Sequence, residues 1–278
     1  MKPRILARTI AKAIKTFPAI VVTGPRQSGK TTLLKMQFGK RNRFVSLENP
    51  DQRLRAKEDP KGFLAAYPSP VILDEIQYVP ELLPYIKTMI DDNRQPGQWL
   101  LTGSQHFQLM EGVSQSLAGR AAILTLLPFS FAERIGNAEQ AKAVSQWVHE
   151  LRIGQVAPER HSLASVLLRG NYPEPASNPQ VDRQLWCASY IATYLERDVR
   201  NLAQIGDLGS FERFVKLCAT RTGQLLNLSD MARDIGISAP TAKRWLSLLE
   251  TGGQIFLLPP YYRNLGKRLI KRPKLYFT

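Results

Sequence analysis

The run Gly24-Pro25-Arg26-Gln27-Ser28-Gly29-Lys30-Thr31 constrains this chain more tightly than any other stretch of it. It fits G-x-x-x-x-G-K-[ST], and its neighbours are what that pattern requires: an apolar strand-sized run, Ala19 to Val22, before it and a helix beginning near Lys30 after it. The glycines let the backbone wrap a phosphate with its N–H groups, and the helix N-terminus adds positive potential. In this reading Gly24, Pro25, Arg26, Gln27, Ser28, Gly29, Lys30, Thr31 and Thr32 cradle a phosphate chain. Lys30 reaches the outer phosphates and the Thr31 hydroxyl ligates Mg2+.

A second strand supplies the complementary chemistry. Val71-Ile72-Leu73 delivers Asp74 and Glu75 at its C-terminal end, where open α/β sheets bind their ligands. Asp74 is the candidate for the magnesium shell, and Glu75 for orienting and deprotonating the attacking water. The strand Trp99 to Thr102 ends in Gly103-Ser104-Gln105, which places small polar groups near a γ-phosphate. Ser104 is the first candidate there, with Thr102 and Gln105 behind it, although an ordinary strand-end turn reads the same way. Arg120 stands alone among small and apolar residues; it is either an arginine offered to a neighbouring subunit's γ-phosphate, in a homo-oligomer, or a structural cap. The guanine signature N-K-x-D is absent from the sequence, which favours ATP. The three histidines, His106, His149 and His161, lack metal-ligand spacing, so no zinc site is expected.

Periodicity fills in the fold. Lys2 to Phe17 carries apolar residues at helical spacing, and Pro18 stops it. Strand patterns at 19–22, 44–47, 71–73, 98–102 and 121–129 alternate with helical patterns at 30–38, 54–67 and 81–90. That alternation predicts an α/β fold, a doubly wound, mostly parallel P-loop sheet with helices on both faces. No run approaches the length of a membrane span, so no membrane partner is expected. Two cysteines, Cys187 and Cys218, lie in apolar helical patterns and read as reduced core thiols of a cytoplasmic protein.

The second half turns helical after a connector at 169–180, with helices predicted over 181–203, 211–220, 228–235 and 239–250. Ser229 and Ser238 are cap residues, and Gly236 makes the turn between the last two helices, which gives a helix-turn-helix. Strands at 254–258 and 274–277 then complete a winged helix. Its second helix would turn Thr241, Lys243 and Arg244 toward double-stranded DNA, while Trp245, Leu246 and Leu249 pack inward. Arg263, Lys267, Arg268, Lys271 and Arg272 in the wing would meet phosphates. Charge supports this reading: the chain carries a formal net +15, with eleven basic and no acidic residues over 1–43 and six basic and no acidic residues over 263–278. Trp186, Tyr190 and Tyr194 recur every four residues, a packing stripe rather than a base-stacking platform.

Taken together, GPRQSGKTT, VILDEIQ, LLTGSQ, SLAGR followed by LPFSFAE, GNYPEP and YLERDVRNL resemble a prokaryotic AAA+-like ATPase family. That family couples a P-loop core to a winged-helix segment and, usually, to a C-terminal domain with a restriction-endonuclease-like fold. The resemblance implies an AAA+-like P-loop ATPase domain over 1–170 and a helical linker with a winged helix over 171–278. It also implies that the strand Trp99 to Thr102 is inserted between the P-loop strand and the Asp74 strand. The sequence ends at Thr278, in mid-strand, where the family continues, so an incomplete C-terminal domain without nuclease activity is expected. The expected function is a Mg2+-dependent ATPase whose nucleotide state is coupled to DNA contact. The alternative is a slow or non-catalytic nucleotide switch acting on protein partners.

Overall fold

A computed structural model of the chain describes residues 2–103, 112–113, 115–141, 163–194, 207–262, 266 and 271–278. They fall into two compact units, Met1–Arg183 and Gln184–Thr278. The first unit thus includes the connector at 169–180. Among the described residues no helix is long and apolar enough to cross a membrane.

The first unit is an α/β sandwich built on five strands: β1 (Ala19–Thr23), β2 (Arg43–Ser46), β3 (Val71–Asp74), β4 (Trp99–Thr102) and β5 (Ala121–Thr125). Their order is β2-β3-β4-β1-β5, and every pairing is parallel. Strand β4 thus lies between the P-loop strand and the Asp74 strand. The three inner strands are buried along their whole length, as a sheet covered on both faces demands. Successive side chains go to opposite faces. Ala19, Val21, Leu73, Trp99 and Leu101 join one core with Leu82, Leu83, Ile86 and Ile90 of α5 (Leu82–Asp92). Ile20, Val22, Ile72 and Leu100 join the other, with Ile10 of α1 (Leu6–Ala13) and Leu33 and Leu34 of α2 (Lys30–Phe38).

A proline accounts for the departure of two elements of this unit from the sequence reading. The helix expected over 54–67 is two, α3 (Pro50–Glu58) and α4 (Pro60–Ala66). Pro60 offers no N–H to continue α3, and Asp59 caps α4 by accepting from the Gly62 N–H at 2.9 Å. Strand β5 stops at Thr125 rather than 129. The Leu126 N–H still bonds the Thr23 carbonyl at 2.8 Å, but Pro128 has no ladder donor. Among the described residues the short α-helices α6 (Phe131–Arg134), α7 (Leu163–Arg169) and α8 (Pro173–Ser177) follow.

The second unit takes most of α9 (Arg183–Tyr194), then α10 (Leu208–Thr220), α11 (Leu228–Ile235), α12 (Ala239–Thr251) and an antiparallel ribbon of β6 (Ile255–Leu258) and β7 (Lys274–Phe277). Its helices are capped by side chains. Asp207 accepts from Ser210, Asn227 from Asp230 and Ser238 from Thr241, while Gly236 ends α11 at φ 82°. Trp245 anchors the core, set edge-on against Phe211 at 5.2 Å and Phe214 at 5.7 Å. Trp186 stacks on Tyr190, whose hydroxyl accepts from Gln254 at 3.1 Å. One expectation fails here: Cys218 is buried, but Cys187 lies on the exposed face of α9, so only one of the two thiols is a core residue.

Candidate nucleotide site

At the C-terminal end of β1 the chain makes the tight loop that the glycines permit. Gly24 sits at φ 139°, and a Cβ there would lie 2.2 Å from the Leu126 carbonyl oxygen, so no side chain fits. Gln27 takes the left-handed conformation at φ 58° and Gly29 follows at φ 92°, after which α2 begins at Lys30. Alternation of this kind turns backbone N–H groups inward and aims a helix N-terminus at the same point. Lys30 is buried and donates to the Gly24 and Pro25 carbonyls at 3.0 and 2.9 Å. The Ser28 hydroxyl is buried and has no hydrogen-bond partner among the described residues.

Strands β3 and β4 bring the acids to this loop. The Thr31 hydroxyl donates to Asp74 Oδ1 at 2.7 Å, joining the residue after Lys30 to the end of β3. Thr102 donates to the same oxygen at 2.6 Å and accepts from the Glu75 N–H at 3.0 Å. Glu75 is in the left-handed region, φ 58° and ψ 50°, and the Gln77 amide donates to its carboxylate. Lys30, Thr31, Asp74 and Glu75, some forty residues apart in sequence, therefore converge. Gln27, Lys30, Thr31 and Glu75 line a cavity of 270 Å³ together with Glu174 of α8.

Beside it lies a second cleft, of 220 Å³, walled by Pro3, Arg4, Leu33, Met36, Phe129 and Pro173. The two share Gly29, Thr32 and Pro173. A polar cavity at the loop joined to an apolar one has the chemistry of a phosphate chain and a flat base. A hard-oxygen pair such as Thr31 and Asp74 also suits magnesium.

Arg4 braces this arrangement. Its guanidinium donates to Glu133 at 3.1 Å, to the Ser28 carbonyl at 2.7 Å and to the Leu127 carbonyl, and lies 4.8 Å from the centre of the Phe129 ring. Glu133 closes the knot by accepting from the Ile5 N–H at 2.7 Å and the Ser130 N–H at 2.8 Å. Arg4, Phe129, Glu133, Pro173 and Glu174 escape sequence reasoning as site residues. The strings LPFSFAE and GNYPEP do contain four of these, Phe129, Glu133, Pro173 and Glu174, but nothing in local spacing links them to a loop a hundred residues earlier.

Other expected site residues stand elsewhere. Arg120 stands away from the loop of its own chain: it precedes β5, its carbonyl accepts from the Ala19 N–H, and so it sits at the N-terminal edge of the parallel sheet. The P-loop is a whole strand away, about 16 Å at 3.3 Å per residue. Arg120 instead grips Asp91 with two donors, at 2.6 and 2.8 Å. That hydrogen-bonded pairing holds the Asp91 carboxyl below its ordinary range and raises the guanidinium. Thr102 is corrected: it is fully buried and engaged with the acids, so it does not face a phosphate. Ser104 and Gln105, all three histidines, and Arg263, Lys267 and Arg268 lie outside the described residues. In the second unit Lys243, Arg244, Lys271 and Arg272 are exposed and Thr241 is half-buried, with its hydroxyl 2.8 Å from that of Ser238. Trp245, Leu246 and Leu249 are buried.

Residues 16–135 match a family model described as an AAA domain, and residues 160–278 match one described as Domain of unknown function (DUF8612). Uncharacterized protein Rv2008c of Mycobacterium tuberculosis and uncharacterized protein Mb2031c of Mycobacterium bovis are each 29% identical over 276 residues. The alignment covers 98% of this chain but 57% of theirs, so the chain spans little more than half the length of these relatives. Among solved structures, the Walker-type ATPase PABY2304 of Pyrococcus abyssi is similar at a TM-score of 0.51 and 16% identity, over 90% of this chain and 89% of that one. That likeness concerns the fold: an α/β P-loop core with a helical region after it.

Proposed function

We propose that the first unit is an AAA+-like domain that binds ATP with magnesium and hydrolyses it, and that the second is a winged helix through which nucleotide state is coupled to duplex DNA. The observation that carries the hydrolysis reading is the convergence of Lys30, Thr31 and Glu75 on one cavity beside an apolar cleft, with Asp74 hydrogen-bonded to Thr31 at its wall. Lys30 would exchange the Gly24 and Pro25 carbonyls for phosphate oxygens. Thr31 and Asp74 are the residues that would hold magnesium, which when bound neutralises charge on the phosphates. Glu75 would orient a water and take its proton as the water oxygen bonds to the γ-phosphorus. The bond from that phosphorus to the bridging oxygen breaks, and ADP leaves with the electron pair. Leu33, Met36 and Phe129 would cover the adenine while Arg4 holds that wall to the loop.

DNA contact is supported by charge and placement. Lys243, Arg244, Lys271 and Arg272 are exposed, the helix pair and ribbon have the order of a winged helix, and the chain's net charge is +15. Purified chain should hydrolyse ATP, and Lys30→Ala and Glu75→Gln should each lower turnover by about a hundredfold or more. Turnover indifferent to Glu75→Gln would replace hydrolysis by the slow nucleotide switch. Duplex binding titrated at two salt concentrations should weaken steeply with salt, and a K243S/R244S/K271S/R272S variant should flatten that dependence. An unchanged slope would remove DNA from the proposal.

A further inference from the structure

We infer that Thr102 is a positioning residue that ties the carboxylate of Asp74 to the backbone of Glu75, so that the metal-holding acid and the water-activating acid are set as one unit. This rests on the hydrolysis proposed above. Thr102 is fully buried, so its hydroxyl acts through protein groups. A hydroxyl has one proton, and this one goes to Asp74 Oδ1 at 2.6 Å; a lone pair then accepts the Glu75 N–H at 3.0 Å.

The second contact matters because of where β3 ends. Its pairing with β4 runs Val71 with Trp99, Ile72 with Leu100 and Leu73 with Leu101, and goes no further. Beyond that register Glu75 turns left-handed, a conformation that a residue with a Cβ holds only when its surroundings compel it. Its N–H finds the Thr102 hydroxyl where a strand carbonyl would otherwise be. Gln77, two residues on, holds the carboxylate end of the same side chain. Thr31, Asp74, Thr102, Glu75 and Gln77 form one hydrogen-bonded chain, with Thr102 as the link between the two acids. Serine can make both of its bonds. Valine, of nearly the same shape, can make neither.

The test uses the full chain with T102V, T102S, E75Q and the double variant E75Q/T102V. Three quantities are read: steady-state ATP turnover, affinity for a non-hydrolysable ATP analogue with Mg2+, and amide hydrogen exchange at Glu75. T102V should lower kcat by about tenfold or more with KM within about threefold, because alignment is lost while the phosphate loop is intact. T102S should stay within about threefold of wild type. On the E75Q background the valine should add no further loss, since it acts through Glu75. Exchange of the Glu75 amide should speed up in T102V and not in T102S. The inference is overturned if T102V turns over and exchanges as wild type does, if T102S loses as much as T102V, or if the losses of T102V and E75Q multiply. Should T102V not fold, T102S against T102A supplies the same comparison. Should wild-type protein show no turnover, the hydrolysis proposal fails, and the exchange rates alone still decide whether Thr102 holds Glu75.

Discussion

Replacing Arg4 with methionine tests the brace behind the phosphate loop. The Arg4 and Glu133 side chains are 8% and 6% exposed, so the substitution strands a carboxylate in a nearly dry site. Breaking a buried pair from one side costs about 3–5 kcal/mol. The lower end applies because Glu133 keeps two backbone donors, Ile5 and Ser130, and because a methionine stem still covers Phe129. For a unit of this size a loss of about 3 kcal/mol corresponds to about 6–12 °C in melting temperature. Urea unfolding and thermal melts followed by circular dichroism should show the loss. A second substitution, Glu133→Gln, removes the stranded charge while keeping an acceptor, and should restore about 1 kcal/mol or more. The Ser28 carbonyl also loses its 2.7 Å donor, so affinity for an ATP analogue should fall in the same variant. A stability within about 0.5 kcal/mol of wild type, or a double variant worse than Arg4→Met alone, would refute the reasoning.

Two further outcomes follow from ionisable side chains. Arg120 holds the Asp91 carboxyl below its ordinary value of 3.8, so the pair's contribution to stability is fully present above that value and is lost as pH falls through the lower folded value. Melts of Arg120→Ala and wild type should therefore differ at pH 7 and converge below pH 3.8, whereas a gap unchanged down to the acid transition would count against the pairing. Burial pushes the Cys218 thiol up to about 12, while Cys187 is exposed. A thiol reagent at pH 8 should label one cysteine of the native chain and both after denaturation, and mass mapping of the label to Cys218 in native protein would contradict its burial.

The sequence made the phosphate loop legible because its chemistry is local. Glycine spacing, one lysine and one hydroxyl lie within eight residues, and the flanking strand and helix announce themselves by period. The acids at the end of β3 were legible for a similar reason, since an apolar run ending in Asp74-Glu75 reads as a buried strand, and the structure joins Asp74 to Thr31. Helix breaks were harder. Pro60 split an amphipathic stretch that periodicity alone joined, and Pro128 shortened β5. The two cysteines occupy similar apolar patterns, yet one faces the core and the other solvent, a matter of which side of a helix meets a partner.

The sequence by itself determined the glycine loop after β1 with Lys30 and Thr31 behind it, and the acids Asp74 and Glu75 at the end of β3, because backbone conformation and strand direction are set over a few residues. Tertiary structure alone decided the rest. It moved Arg120 to the far edge of the sheet, turned Thr102 inward to join two acids, and carried Arg4, Phe129, Pro173 and Glu174 to the loop. Such choices depend on strand order and on which buried polar groups must find one another, and those are properties of the whole packed sheet, which no short window of residues contains.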